Sequence, residues 1–283
     1  MTRGGFYLNR PEVPPANYAV IGGSGTFSIN FPEDLERKDV ATLKTGMTFS
    51  TPFGESPPFK LLLAGERKVL TVKMHGWRTG ISRADASRQV FWVLREAGVK
   101  KILSEGGVGS INRLLRPRDL LVPTDYLDFS MRKDVSLGGE FLLMMRRPVC
   151  PSIRKELVLA AETSAAGRVF DRGVYAVTDG RHFESPAEVE MLYRLGADIV
   201  GQSMCPEVYL AREIGACYGR LDMVVNYAEG VIKEWDYEEM KDIFYHEPVR
   251  VGNILLDAIS RLTPDQDCGC SGLRKHTLLK DKK

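Results

Sequence analysis

A glycine-rich segment that could bind an anion follows the first well-patterned strand of this chain. Gly22-Gly23-Ser24-Gly25 comes directly after the apolar run YAVI, residues 18–21. Glycines after a strand let the backbone approach an anion closely. The segment is not a dinucleotide fingerprint, which needs G-x-G-x-x-G, nor a P-loop, which ends in Gly-Lys-Ser/Thr. Taken alone, it is equally consistent with another kind of anion site and with a plain turn.

Polar or glycine residues also follow four later strands of the predicted fold. His75 follows the second arm of a hairpin, and Gly106-Gly107 follow ILSE; Ser203 follows ADIVGQ, and Asn226 follows LDMVV. Ligand sites in open α/β sheets form in the crevice beyond strand ends. Each residue alone also fits an ordinary loop, cap or turn. The five strand ends together favour one ligand site.

The elements that must position these residues alternate along the chain. Apolar β-rich runs alternate with helical patterns, which is typical of an α/β layered fold. The sequence predicts a hairpin over residues 59–74 and helices over 83–98 and 186–196, the second opened by the capping box SPAE. We expect the last helix to start at Asp236 and to be disturbed at Pro248.

Domain boundaries follow from the ends of this pattern. We expect a loose N-terminal arm over residues 1–17, one domain over residues 18–263 and a polar C-terminal tail over residues 264–283.

Composition excludes several classes of partner. The 39 basic and 37 acidic residues leave a formal net charge of +2, so no nucleic-acid partner is expected. No apolar run reaches membrane-spanning length, and the N-terminus lacks the apolar core of a signal peptide. We therefore expect a cytoplasmic protein without a membrane partner.

Cysteine usage agrees with that expectation. Cys150, Cys205 and Cys217 lie in apolar contexts and are predicted to be buried free thiols. Cys268 and Cys270 form a C-x-C pair in the tail, where a metal or redox role stays open. Two sulfurs alone do not complete a zinc site, so the sequence predicts no metal.

An ordered set of segments carries a family resemblance over nearly the whole patterned chain, from about Tyr18 to Leu262. The chain resembles the trimeric purine nucleoside phosphorylases and their relatives, the methylthioadenosine and methylthioinosine phosphorylases. The resemblance rests on IGGSG (21–25), TPFG (51–54), HG (75–76), GGVGSI (106–111), RPRDLLVPTDYLDF (116–129), DGRHFESPAE (179–188), GADIVGQSMCPEVYLARE (196–213) and VVNYAEG (224–230).

The resemblance implies the fold, the reaction and the assembly. It implies a single-domain three-layer α/β fold, with a central mixed, twisted sheet flanked by helices. In the family reaction, inorganic phosphate displaces a purine from C1′ of a nucleoside, so phosphate is a co-substrate and no other cofactor is needed. A homotrimer or homohexamer is expected, because the family's active site borrows residues across a subunit boundary.

The resemblance also implies roles for individual residues. The phosphate site is expected at Ser24, His75, Gly107 and Ser203. The nucleoside site is expected at Phe183, which stacks on the purine, and at Gln202, Ala228 and Tyr237. The catalytic roles fall to Asn226, Glu184 and His75.

Glu184 and Asn226 also bear on the choice of base through their own chemistry. A carboxylate can accept a hydrogen bond from N1–H of a 6-oxopurine, and an asparagine amide can donate to O6 or N7. Adenine has no N1–H, and family members that accept adenine nucleosides carry aspartate where Asn226 stands. Because unpaired buried polar groups discriminate strongly, we expect inosine, guanosine or methylthioinosine as the type of substrate.

Three positions depart from the family pattern, and they leave alternatives open. Met74 stands where the phosphorylases usually carry an arginine that binds phosphate, Gln202 replaces a methionine that lies against the ribose, and Glu105 is an unusual acidic neighbour. The missing charge could come from another arginine: Arg78, Arg83 or Arg181.

Two other functions therefore stay open beside the phosphorylase. The chain could be a hydrolase of futalosine-like purine nucleosides, in which water replaces phosphate, or a non-enzymatic purine-binding protein. The sequence does not define the pocket for the 5′ substituent, where Trp235 or Tyr237 could lie.

Overall fold

The structure is a computed structural model that describes residues 12–164 and 167–278. Its strands, in chain order, are β1 Tyr18–Ile21, β2 Val40–Met47, β3 Ser50–Thr51, β4 Gly54–Glu55, β5 Phe59–Ala64, β6 Arg67–Val72, β7 Lys101–Ser110, β8 Leu120–Leu121, β9 Asp125–Asp128, β10 Phe141–Leu143, β11 Val169–Phe170, β12 Val174–Val177, β13 Ile199–Gly201, β14 Cys217–Tyr227 and β15 Arg274–His276. Its α-helices are α1 Arg83–Glu96, α2 Pro151–Thr163, α3 Pro186–Arg194, α4 Met204–Glu213, α5 Tyr237–His246 and α6 Pro248–Arg261.

A mixed sheet organises the molecule. Among the described residues, eleven strands form this sheet, and its main path runs β11-β8-β14-β7-β1-β6-β5-β2. At its centre, β1 pairs in parallel with β6 and β7, and β7 pairs in parallel with β14. The carboxyl ends of these four strands therefore meet at one edge, which is the edge where the sequence places its candidate residues.

Helices cover both faces of the sheet, which completes three layers. Along β1, Ala19 and Ile21 join the core cluster that includes α1 and α4, whereas Tyr18 and Val20 join the cluster that includes α2 and α6. This alternation is the two-residue period of a strand buried on both faces. The predicted three-layer α/β fold with a central mixed sheet is confirmed.

The locally encoded elements agree with the sequence. β5 and β6 form the predicted antiparallel hairpin. Ser185 caps α3 by accepting a hydrogen bond from the backbone N–H of Glu188, whose side chain returns the bond to complete the capping box. Asp236 caps α5, and the helix is interrupted at Glu247, before α6 begins at Pro248. The predicted last helix is therefore a pair of helices.

Two strands extend further than the sequence indicates. Gly106-Gly107 lie inside β7 and not beyond its end, because pairing with β14 continues through Ser110. Asn226 likewise lies inside β14, next to an irregularity in the pairing between Val224 and Asn226. A bulge of this kind redirects side chains, so Asn226 can still face the ligand crevice.

The segment predicted as a polar tail packs on the domain as far as it is described. Cys270 and Leu273 are buried, and β15 pairs with β10. At the other end, Ala16 of the predicted arm is buried and its N–H donates to the carbonyl of Ala97. Residues 1–11 of that arm and residues 279–283 lie outside the described residues.

Membrane spans are also absent from the part of the chain that the structure describes, where no helix combines the length and the apolar character that a bilayer crossing needs. The cytoplasmic location expected from the sequence stays a prediction.

Candidate active site

A cavity of about 280 Å³ opens at the carboxyl edge of the central strands. Of the ten residues that the sequence assigns to the site, all except Tyr237 line it. Its polar side chains lie in or beyond the carboxyl ends of β1, β6, β12, β13 and β14, so the fold brings together Ser24 and Glu229, which are 205 positions apart in the chain. The lining comprises Ser24, Met74, His75, Trp77, Gly106, Gly107, Val108, Gly109, Phe183, Glu184, Val200, Gly201, Gln202, Ser203, Val225, Asn226, Ala228, Glu229, Met240 and Phe244.

The cavity is lined by the residues expected to bind phosphate. The Ser24 hydroxyl accepts a hydrogen bond of 2.7 Å from the backbone N–H of Gly107. His75 Nδ1 lies 2.8 Å from Glu207 Oε1, and both side chains are buried. Ser203 is buried at the start of α4. Two hydroxyls and one imidazole therefore line the same cavity.

Glu207 fixes the orientation of His75, and the sequence reasoning missed this residue. Its other oxygen, Oε2, accepts hydrogen bonds of 2.8 Å from Ser104 and from Tyr218. Burial alone would raise the pKa of Glu207, but His75 and then Arg220 outweigh it and hold that pKa below its usual value. An ionised Glu207 accepts from Nδ1–H, which fixes the orientation of the imidazole ring. The sequence signal for a buried functional carboxylate was the single glutamate in the apolar stretch MCPEVYLA, residues 204–211.

Glu105 occupies the glycine-rich loop whose ligand the sequence left open. Its carboxylate accepts hydrogen bonds from the backbone N–H groups of Gly23 and Gly25, the latter at 2.8 Å, and from the hydroxyl of Thr26 at 2.7 Å. Glu105 is completely buried. The anion that these amides hold in the structure is therefore a side chain of the same protein.

Met74 lines the cavity, and no arginine does so among the described residues. Arg78 donates to Gln89 Oε1 at 2.7 Å and to the carbonyl of Gly76 at 3.1 Å, away from the cavity. Arg83 donates to Gln202 Oε1 at 3.0 Å and stacks on the ring of Trp77, so it contacts the site through Gln202. Arg181 is exposed. None of these three described arginines therefore belongs to the cavity lining.

A buried ion pair lies beneath the floor of the cavity. Arg220 Nε donates to Asp222 Oδ1 at 2.7 Å, and both residues are fully buried. Arg220 Nη1 also lies 4.0 Å from Glu207 Oε2, which links this pair to His75. The guanidinium sits directly below Gly106, where a Cβ would lie 2.4 Å from Nη2. Glycine at that position makes room for the charge.

The same cavity is lined by the residues expected to hold a base. Glu184 and Asn226 are only 8% and 7% exposed, so polar atoms are available in a nearly dry pocket. Thr178 donates to Glu184 Oε1 at 2.5 Å, which holds the carboxylate in place, and Asn226 Nδ2 donates to the carbonyl of Tyr227 at 2.7 Å. This arrangement can bind the polar edge of a planar ligand.

Aromatic side chains form the open side of this pocket. Phe183 is 48% exposed and meets the ring of Trp235 edge-on, with the ring centroids 5.6 Å apart. Tyr237 contacts Trp235 in turn, at 6.2 Å between centroids, and both Trp235 and Tyr237 lie outside the cavity lining. Its predicted role as a substrate contact stays a prediction, and Trp235 is the nearer of the two residues to Phe183.

Comparisons with known proteins identify the family of the chain. The model of the phosphorylase superfamily matches residues 17–260. The chain is 31% identical over 269 residues to the 6-oxopurine nucleoside phosphorylase of Pyrococcus furiosus, covering 91% of this chain and 97% of that protein. It is also 31% identical over 257 residues to the probable S-methyl-5′-thioinosine phosphorylase of Methanothermobacter thermautotrophicus, covering 89% of this chain and 86% of that protein.

Solved structures show the same fold. A methylthioadenosine phosphorylase from an antarctic soil metagenomic library superposes with a TM-score of 0.79 at 22% identity, over 92% of this chain and 91% of that one. At that identity the likeness establishes the fold alone. The family match extends over most of the chain, and two relatives above 30% identity align nearly end to end. The chain therefore belongs to the phosphorylase superfamily, together with the purine nucleoside and methylthioadenosine phosphorylases.

Proposed function

We propose that this protein cleaves the N-glycosidic bond of 6-oxopurine nucleosides, of the inosine, guanosine or methylthioinosine type, with inorganic phosphate as co-substrate. The observation that carries the proposal is one cavity lined both by buried Glu184 and Asn226 and by Ser24, His75 and Ser203. The names of the relatives support the same class of substrate.

The roles of the residues follow from how charge develops in the reaction. In the transition state the sugar is partly cationic and the departing purine partly anionic, so stabilisation is needed at both ends. Asn226 donates to O6 or N7 as negative charge builds on the base, while Glu184 accepts from N1–H. Phosphate approaches C1′ from the side of His75 and Ser203. Phe183 packs on the purine face.

Weak binding of phosphate is part of this proposal. Met74 supplies no charge, and the Glu105 carboxylate already accepts from the loop amides. A free anion would have to compete with that carboxylate and lie close to it. The hydroxyls of Ser24 and Ser203 and the imidazole of His75 remain as ligands. We therefore expect cleavage that depends on phosphate but needs a high phosphate concentration.

Product analysis tests the proposed function directly. The protein is incubated with inosine, methylthioinosine or adenosine, each with and without phosphate, and free base and sugar are quantified. We expect hypoxanthine and a sugar 1-phosphate only when phosphate is present, with inosine or methylthioinosine preferred to adenosine. Equal release without phosphate, with free sugar, would establish a hydrolase instead. No release under any condition would leave the purine-binding alternative.

We further propose that the protein assembles as a homotrimer or homohexamer, as the family resemblance implies. Met131 and Leu114 are 87% and 71% exposed in the single chain, and burial in an assembly would remove these apolar side chains from water. Light scattering is expected to give the mass of a trimer or hexamer of the 31.6-kDa chain. A fully active monomer at micromolar concentration would contradict the proposal.

A further inference from the structure

Four of the five cysteines meet at the edge of the sheet opposite the cavity. The Sγ atoms of Cys150, Cys217, Cys268 and Cys270 all lie within 4.8 Å of one another. Cys217 begins β14, and Asn226 lies near the other end of that strand. At about 3.3 Å per residue, roughly 30 Å of strand separates the cluster from Asn226. These four residues, the cysteine cluster, are therefore distinct from the candidate active site.

Three separate segments are shaped to bring these sulfurs together. Cys150 is the residue that precedes α2, and its backbone N–H donates to the carbonyl of Tyr218 at 2.8 Å, next to Cys217. Cys268 Sγ lies 3.3 Å from Cys217 Sγ. Between Cys268 and Cys270, Gly269 has φ of 68°, a left-handed conformation that favours glycine. That turn lets both sulfurs of the C-x-C pair face the same point.

A buried cation lies beside the cysteine cluster. Lys101 is 1% exposed, and its ammonium lies 3.6 Å from Cys217 Sγ. Within residues 12–164 and 167–278, no carboxylate forms an ion pair with it. A buried ammonium without a counter-charge costs several kcal/mol. The negative charge of a metal–thiolate centre would offset that cost.

We propose that the cysteine cluster binds one Zn²⁺ ion through four thiolates. Tetrahedral coordination with Zn–S bonds of about 2.3 Å places the sulfurs about 3.8 Å apart, which the observed spread of up to 4.8 Å can reach with small side-chain rotations. Binding replaces four S–H protons, which leave to solvent, by four Zn–S bonds. The resulting centre carries a charge of −2, and Lys101 offsets half of it.

The four-sulfur set also defines what such a site does. All four coordination positions are protein ligands, so no position stays open for water or substrate, and the site is structural. Because Cys268 and Cys270 belong to the segment after α6, the ion fastens residues 264–278 to the starts of α2 and β14. Metal binding should therefore stabilise the pairing of β15 with β10.

Metal analysis of the intact protein, purified under reducing conditions, tests the proposal. We expect about one zinc ion per chain by mass spectrometry. After removal of the zinc with a chelator and a thiol reagent, added Co²⁺ should give the intense visible absorption of a tetrahedral thiolate site. Titration of the unfolded, metal-free protein should find all five cysteines as thiols.

Substitutions then assign the ligands. Cys268→Ser and Cys150→Ser are each expected to lower the zinc content at least tenfold and to speed exchange of the amide hydrogens of residues 264–278. Cys205→Ala is the control, because Cys205 is as buried as Cys150 but lies outside the cysteine cluster. It should keep the full zinc content.

Two results on the wild-type protein would overturn the proposal even if a variant failed to fold. One is a reduced protein that contains no zinc and takes up neither Zn²⁺ nor Co²⁺. The other is a mass and thiol count showing that the cysteine cluster is paired in disulfides, with Cys205 alone reacting as a free thiol.

Discussion

Glu184→Ala is expected to lower kcat/KM for inosine by about 100-fold, because a hydrogen bond to a charged group contributes up to about 3 kcal/mol. The carboxylate is 8% exposed and held by Thr178, so the alanine variant would leave N1–H of the purine without an acceptor in a nearly dry pocket. Adenosine has no N1–H, and its turnover should fall much less. Steady-state kinetics on both nucleosides at saturating phosphate measure the effect.

A nearby carboxylate provides the control for this substitution. Glu190 lies on α3, two residues after the capping-box residue Glu188, and pairs with Arg194 on the surface. Glu190→Ala removes the same group outside the cavity and should leave kcat/KM for inosine within about twofold, since surface ion pairs contribute little. If Glu184→Ala weakened inosine and adenosine turnover equally, Glu184 would hold the pocket together and would not read the base.

Local chemistry explains what could be predicted of the fold from the sequence. The hairpin of β5 and β6 and the capping box at Ser185 are encoded within a few residues, so short windows suffice. The family resemblance supplied the order of the site residues. The four parallel central strands then bring their carboxyl ends to one edge, and nine of the ten predicted residues line one cavity.

Long-range pairing explains what could not be predicted. The lengths of β7 and β14 depend on their mutual pairing, so a window that ends at Gly106 or Asn226 misses the rest of each strand. The partners of Glu105 lie about eighty residues earlier in the chain. The acidic character of Glu105 was visible in the sequence, but the groups that donate hydrogen bonds to it were not. Cys150 and Cys217 likewise seemed unrelated to the C-x-C pair, from which they are separated by more than fifty residues.

Glu105 and Met74 together set the expected phosphate affinity, and they lead to the second large effect. We expect the double variant Met74→Arg/Glu105→Ala to bind phosphate about 100-fold more tightly than the wild-type protein. Restoring a guanidinium ligand contributes roughly 1.5–3 kcal/mol, or one to two orders of magnitude. Removing the carboxylate frees the N–H groups of Gly23 and Gly25 and takes away a neighbouring negative charge.

Thermal unfolding in increasing phosphate separates binding from catalysis in these variants. Glu105→Ala leaves buried N–H groups without an acceptor, so the variant should unfold at a lower temperature than the wild-type protein and recover stability as phosphate is added. Met74→Arg alone provides a second readout if Glu105→Ala is too unstable to purify. Glu105→Asp is the matched control, because it keeps the negative charge beside the loop and should gain little phosphate affinity.

The base preference gives the final check that these changes act on the anion alone. Among the described residues, Glu184 and Asn226 share no hydrogen-bond partner with Glu105, so the ratio of kcat/KM for inosine to that for adenosine should stay constant while KM for phosphate falls. Sites that share no partners and lie well apart usually contribute additively, which makes this independence a quantitative expectation. If phosphate binding tightened neither in Met74→Arg nor in the double variant, the glycine-rich loop that Glu105 occupies would not be part of a phosphate site. Saturation of the wild-type protein at micromolar phosphate would contradict the weak phosphate binding that we expect.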